Sequence, residues 1–271
     1  MMRLRLNAIL GGLLVASVLT MAVISIVWTP FNPLGVNLRA RLAAPSALHW
    51  LGTDEVGRDV LSRLMAGAGT SCLVAALTVL VAVLLGGVIG LVAGFARGWV
   101  DRGLMLVNDT LLAFPGILLA LGLMAIIGAS KWGIVAALGL AYAPTVARIV
   151  RGSVLSIRER EFIEASRAIG NSELYTLWRH VLPSTASPVI VLATSMFGWA
   201  ILAESALSFL GLGVPPPAPT WGNMLAAARP YMESATWLSL CPGFCIAVTL
   251  LGINLMGDAL RDRLDPRREQ Q

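Results

Sequence analysis

Six stretches of the chain are long and apolar enough to cross a bilayer core of roughly 30 Å. They run from about Leu6 to Trp28, Thr70 to Ala96, Leu104 to Ile127, Gly133 to Val150, Ser187 to Leu210 and Trp237 to Met256. Between the fourth and fifth the pattern changes. Arg158 to Pro183 is polar, with charges at helical spacing (Arg160 with Glu164, Glu164 with Arg167), a helix stop at Gly170, a start signal at Asn171 and Ser172, and a second stop at Pro183. This spacing predicts two short helices with a bend between them.

The other connections are read from turn chemistry and charge. Thr29 to about Ala68 is polar, with turns at Pro30, Pro33 and Pro45, and Asp59 to Met65 predicts a short amphipathic helix with Val60, Leu61, Leu64 and Met65 on one side. Leu210 to Met232 is too rich in Pro and Gly to continue a span, and is expected to form an outer loop with a short helix from about Trp221 to Ala228. Arg97, Asp101 and Arg102 are expected in a short inner turn, and Lys131 with Trp132 in a tight outer one. With both termini inside, inner segments hold more Lys and Arg than outer segments, as the positive-inside rule requires. The resulting division is residues 1–28 (inner end and first span), 29–69 (outer segment), 70–260 (transmembrane core, polar loop about 151–186) and 261–271 (inner tail).

Composition turns this pattern into a class. With 57% hydrophobic and 13% charged residues and a mean hydropathy of +0.79, the chain is an integral membrane protein, all-α with six transmembrane helices. The first run competes with a cleaved signal peptide, but exceeds the usual apolar region of one and is not followed by a small-residue cleavage site. The net charge of +5 does not point to nucleic acid: Lys131 is the single lysine, and the arginines stand near the ends of apolar runs without interleaved aromatics.

Candidate chemistry is sparse. Cys241 and Cys245 share a helical face but no His or carboxylate accompanies them, Cys72 is also in apolar surroundings, and His49 and His180 are the two histidines, so no metal site is expected. Lys131 lies in GASKWG, outside the GxxxxGK[ST] spacing of a phosphate loop, so energy from ATP has to come through a partner. Gly86, Gly90 and Gly94, four apart, read as a close helix contact. Asp109, Pro115 and Glu204 are candidates for either the pathway or helix packing: Pro115 removes a backbone donor, and a carboxylate at the depth of Glu204 has to face protein or water.

Glu164, Ala165 and Ser166, then Gly170, then Leu182 and Pro183, resemble the EAA loop of ABC-transporter permeases, with Ser166 where a second Ala is usual and His180 where an aliphatic residue is frequent. GTDxxGRDxxSR (Gly52, Thr53, Asp54, Gly57, Arg58, Asp59, with Ser62 and Arg63), FLGLG before a Pro-rich turn, WGNML and GDALRDRLDPR resemble the second permease subunit of the dipeptide, oligopeptide and nickel importers. The resemblance covers about Thr29 to Pro266. It implies a type I ABC importer permease fold in the bacterial cytoplasmic membrane, with both termini cytoplasmic. The polar loop is then a coupling helix seated in a cleft of an ATPase, with Phe162, Ile163 and Ile169 as apolar anchor and Phe162, Glu164, Ala165, Ser166, Gly170, Leu182 and Pro183 as coupling residues.

The implied assembly is a heterodimer with a homologous permease subunit, two ATP-binding subunits or domains carrying ATP and Mg, an extracytoplasmic solute-binding protein docking near the GTD motif, and lipid. No cofactor is expected on this chain. The implied cargo is di- or oligopeptide, or nickel or another metal chelate, through a pathway of mainly small and apolar groups. A gradient-driven secondary transporter or channel is the competing class, disfavoured by the few deep charges and the lack of an internal repeat.

Overall fold

The computed structural model describes residues 2–264, with side chains from Leu6 onward. The side chains of Arg3 and Arg5, and the tail beyond Leu264 including Pro266, lie outside the described residues. Among the described residues the chain is helical: α1 (Met2–Val27), α2 (Val60–Ala96), α3 (Gly98–Leu112), α4 (Gly116–Ile127), α5 (Lys131–Ile157), α6 (Glu161–Ala168), α7 (Glu173–Thr176), α8 (Leu182–Phe209), α9 (Trp221–Ala228) and α10 (Trp237–Leu264). Among the described residues five helical runs are individually apolar and long enough to span, and α3 with α4 makes a sixth if the bent pair is taken as one span.

α2 and α5 form the centre of the bundle, and glycine sets their distance. A Cβ at Gly90 would lie 2.5 Å from the Ala147 carbonyl and 2.7 Å from Val150 Cβ, and one at Gly94 would lie 2.8 Å from Val154 Cβ. With Gly86 against Ala143 and Val146, this makes a three-step seam that carries backbone against backbone. Gly11 and Gly252 do the same for α1 and α10, where a Cβ on Gly11 would meet the Gly252 carbonyl at 2.8 Å. α8 packs on α2, α5 and α10 and closes the bundle.

Several expected boundaries move. Asp59 to Met65 is not a separate interfacial helix: Asp59 caps α2, accepting from the Ser62 amide at 2.8 Å, and Val60, Leu64 and Met65 are buried. The span therefore begins ten residues before Thr70. The turn near Arg97 is one residue long, and Asp101 already lies in the first turn of α3.

The third span is broken rather than kinked. α3 ends at Leu112, Pro115 is extended at ψ 128°, and α4 leaves at 93° to α3. At 1.5 Å per residue α4 is only about 18 Å long, short of a crossing on its own. α3 is held on α5 by the Asp101–Arg151 fork, with oxygen to nitrogen distances of 2.6 and 2.7 Å.

Pro183 is not a stop. It is the second residue of α8, and helical structure runs on from Glu173 to Phe209. Leu177–Val181 is a π-helical turn in which the Leu182 amide reaches back to the Leu177 carbonyl. The widened turn admits a proline that ordinary helix geometry would set against the preceding carbonyl.

The short helix α9 has the expected bounds, set by a reciprocal capping box between Thr220 and Asn223. It is not a surface feature. Trp221 is fully buried, its indole nitrogen donating to the Leu64 carbonyl at 3.1 Å and its amide to Ser71 Oγ at 3.1 Å. α9 thereby tucks into the end of the bundle opposite the α6–α7 segment.

Candidate functional site

The polar segment folds into a knob on one end of the bundle. α6 stops in a Schellman arrangement: the Gly170 amide donates to Arg167 (2.9 Å), the Asn171 amide to Ser166 (3.2 Å), and Gly170 has φ +86°. Ser172 caps α7, accepting from the Tyr175 amide at 3.2 Å. Ser166, in place of the usual alanine, is buried and joins the two helices through Thr176 Oγ1 (3.0 Å) and Asn171 Nδ2 (3.1 Å). A hydroxyl here fixes the bend.

The two sides of α6 differ. Ile163 is fully buried, in one cluster with Val154, Ile157 and Val181, so it anchors the knob to its own bundle and not to a partner. Phe162 (41% exposed), Ile169 (78%), Leu174 (64%) and Trp178 (63%) form the outward apolar surface, with Glu164 and Ala165 also exposed. Glu164 makes no ion pair with Arg160 or Arg167; Arg167 pairs instead with Glu173 at 2.9 Å. The knob therefore presents, beside aromatic and aliphatic groups, a carboxylate that has no ion pair among the described residues.

Two contacts tie the knob to α2, and sequence spacing had not pointed to either. Arg158 donates to the Gly94 carbonyl at 3.2 Å and to that of Phe95, with its guanidinium 5.1 Å from the Phe95 ring centre. Burial, followed by the like charges of Arg97 and Arg167, lowers the pKa of Arg158 below the ordinary arginine value. Arg97 pairs with Glu159 at 3.0 Å.

At the other end, the GTD motif is turned inward. Asp54 accepts from the amides of Val56 (3.0 Å) and Arg58 (2.9 Å) and from Arg58 Nε (2.6 Å), with Arg63 Nε at 3.4 Å. Asp59 takes His49 Nδ1 at 2.9 Å, and Thr53 is buried beneath the Trp237 indole. Gly52 (φ +74°) leaves no room for a side chain, since a Cβ would stand 2.7 Å from both Ala43 O and Trp237 Nε1. These residues build the segment; the side chains it offers outward include Leu34, Val36, Leu38, Leu48 and Trp50 together with Arg39 and Arg41.

Of the remaining candidates, Glu204 is buried (1% exposed) and accepts from Ser208 (2.8 Å) and Thr220 (2.9 Å) through one oxygen, joining α8 to the cap of α9. Asp109 pairs with Arg148 of α5 at 2.6 Å. Leu182 and Pro183 lie in the first turn of α8.

Between α5 and α8, beside the knob and the end of α10, runs an open groove of about 860 Å³. Its lining includes Arg148, Arg160 and Arg261 with Ser153, Ser156, Ser184, Ser187 and Ser195. Ile149, Ile157, Val191, Leu192, Trp199 and Leu264 supply its apolar part.

A bundle of apolar helices with an exposed, braced knob between α5 and α8 is the architecture of a membrane transport component. Residues 86–270 match the family described as binding-protein-dependent transport system inner membrane component, and the chain belongs to that family. The dipeptide transport system permease protein DppC of Alkalihalophilus pseudofirmus is 42% identical over 260 residues, covering 96% of this chain and 86% of the relative. A putative peptide transport system permease protein of Brucella abortus is 41% identical, covering 96% and 88%. The glutathione transport system permease protein GsiD of Pectobacterium atrosepticum is 42% identical over 223 residues, 82% of this chain and 74% of the relative. A chain from a solved structure of the MetNI methionine ABC transporter has the same fold, with a TM-score of 0.62 at 18% identity over 75% of this chain and 96% of that one.

Proposed function

We propose that this chain forms half of the translocation pathway of an ATP-driven importer of di- and oligopeptides in the bacterial cytoplasmic membrane, with both termini cytoplasmic. The peptide assignment rests on its relatives, whose names include dipeptide, peptide and glutathione permeases. The arginine excess on the segments that share the knob's end supports the orientation. The other half is a homologous permease subunit, a solute-binding protein delivers cargo from outside, and two ATP-binding subunits or domains bring ATP and Mg. This chain supplies no hydrolytic chemistry and binds no cofactor.

The observation that carries this reading is the knob. Its exposed Phe162, Ile169 and Glu164 suit a cleft in a separate protein, while Ile163 and Arg158 hold it to the bundle and Ser166 joins its two helices. Closure of the ATPases on ATP then displaces the knob, and the bundle moves with it between two arrangements that ATP binds unequally. Glu164 orients the contact, Ala165 permits close approach, and Gly170 keeps the bend.

The test is uptake of labelled dipeptide, longer peptide and nickel in cells with and without the chain, each with an ATPase-inactive partner as control. Loss of ATP-dependent peptide uptake alone is expected. Loss of nickel uptake alone assigns a metal-chelate cargo instead, and uptake that depends on the chain yet survives the inactive ATPase overturns the ABC reading.

A further inference from the structure

The groove between α5 and α8 has a lining that neither lipid nor a permanent helix contact calls for. On α8 Ser184, Ser187 and Ser195 line it, and on α5 Arg148, Ser153 and Ser156, set among apolar side chains such as Ile149, Val191 and Leu192. Polar groups of the two helices thus face one another along runs that are otherwise apolar enough to span. Arg148 stands two residues before the end of the apolar run on α5, Arg160 just beyond that helix and Arg261 in the last turn of α10, so the guanidinium groups gather at the knob's end of the groove. Where this chain packs arginine permanently it supplies a carboxylate fork, as Asp101 does for Arg151. Here Arg148 has Asp109, while Arg160 and Arg261 form no ion pair among the described residues. The hydroxyls of Ser156, Ser187 and Ser195 likewise make no hydrogen bond to protein among the described residues, whereas Ser153 and Ser184 bond back to their own helices.

We propose that this groove is the inner half of the solute route on this chain, and that its guanidinium groups make it selective for solutes bearing a carboxylate. The proposal rests on the peptide-importer reading and sharpens it. An unblocked peptide carries a terminal carboxylate at neutral pH. The lining itself carries three arginines and no carboxylate, while Asp109 pairs with Arg148, and Glu159, Glu161 and Asp262 flank Arg160 and Arg261 in sequence. The arginines attract the terminal carboxylate, and the free serine hydroxyls stand in for part of its hydration. A hydrated divalent cation is repelled by the same field. The volume of about 860 Å³ is ample for a short peptide and its water.

The experiment uses the whole transporter, with its partner permease, ATPases and binding protein, in proteoliposomes. Uptake of a labelled dipeptide is compared with that of its C-terminal amide, for wild type, for Arg261→Gln, and for Arg148→Gln combined with Asp109→Asn so that no carboxylate is stranded. Because the binding protein is unchanged, the ratio between the two peptides isolates the groove. That ratio is expected to fall on the order of tenfold in the variants, the scale of one lost charge-assisted hydrogen bond, with amide uptake retained. An unchanged ratio, or equal loss of both peptides, overturns the selectivity. Separately, Ser187→Cys and Ser195→Cys are treated with a membrane-impermeant maleimide, with wild type as background. Labelling in at least one nucleotide state is expected; protection in every state shows the groove covered by the neighbouring subunit or lipid and overturns the route. A wild-type transporter that carries neither peptide sinks the peptide reading and the carboxylate preference together, while the labelling still decides the route.

Discussion

Arg158 closes the C-terminal end of α2, donating to the Gly94 carbonyl at 3.2 Å across 64 residues of sequence. The last carbonyls of a helix have no partner of their own, and a cation there also meets the negative end of the helix dipole. One residue of the knob thus holds the helix that carries the glycine seam, so that displacement of the knob is passed to α2 as well as to α5 and α8. Arg158→Ala removes hydrogen bonds that contribute about 1.5–3 kcal/mol when the donor is charged. The expected outcome in proteoliposomes is an inserted complex that still hydrolyses ATP but transports at least about tenfold less peptide per ATP, with partial rescue by Arg158→Lys. An unchanged transport-to-hydrolysis ratio in Arg158→Ala removes the residue from the coupling path.

Gly170 is constrained by conformation and not by space. It has φ +86°, yet nothing lies within 4 Å of where a side chain would begin. Gly170→Ala is therefore expected to cost about 1–2 kcal/mol, the penalty of a left-handed L-residue, with Gly170→Asn milder. Comparing ATPase stimulation with uptake for the two variants checks this. If Asn is as damaging as Ala, the cause is contact with a partner and not backbone strain.

How far such features are legible in the sequence depends on how local their causes are. The bend at Gly170 and the bounds of α9 follow from cap residues within a few positions, Ser172 in one case and Thr220 with Asn223 in the other. The seam of Gly86, Gly90 and Gly94 is visible because a four-residue period of small side chains has one main use in lipid. The inward face of Ile163 was hidden, because Val154, Ile157 and Val181, which bury it, come from the helices on either side. Arg158 was hidden for the same reason. Pro115 shows the limit at the backbone: a kink and a 93° break begin from the same missing donor, and α5 packing on α4 decides between them.

Pro183 illustrates the reverse error, and its correction has a consequence. A proline that ended the helix would be costly to replace, whereas Pro183 lies inside a continuous helical run, where the π-helical turn before it already makes room for its ring. Pro183→Ala is expected to shift stability by less than about 1 kcal/mol and to leave coupling intact. Thermal unfolding of the purified complex, together with the transport-to-hydrolysis ratio, measures both. A large loss in either shows that the π-helical turn before it depends on the ring.

Glu204 holds the cap of α9 to α8, and its partners distinguish acceptor from size. One carboxylate oxygen accepts from Ser208 and Thr220, and a glutamine can offer a carbonyl in its place. Glu204→Gln is expected to remain near wild type in thermal stability. Glu204→Ala strands two hydroxyls and opens a void where no side chain is exposed, at about 2–4 kcal/mol. Equal stability of the Ala and Gln variants, read from unfolding in detergent, shows that the contact between α8 and α9 does not rest on this carboxylate.

The seam between α2 and α5 offers the sharpest contrast within one turn of helix. A methyl at Gly90 would stand 2.5 Å from the Ala147 carbonyl and 2.7 Å from Val150 Cβ, while Gly87, three residues earlier, has nothing within 4 Å. Overpacking of a close helix contact costs about 1–3 kcal/mol, and an alanine in open space gains up to about 1 kcal/mol of helix propensity. Gly90→Ala is thus expected to lower the unfolding temperature of the complex and Gly87→Ala to leave it unchanged or raise it. Because both substitutions add the same methyl to the same helix, equal shifts of the two would show that glycine acts on α2 through its backbone freedom and not through its contact with α5.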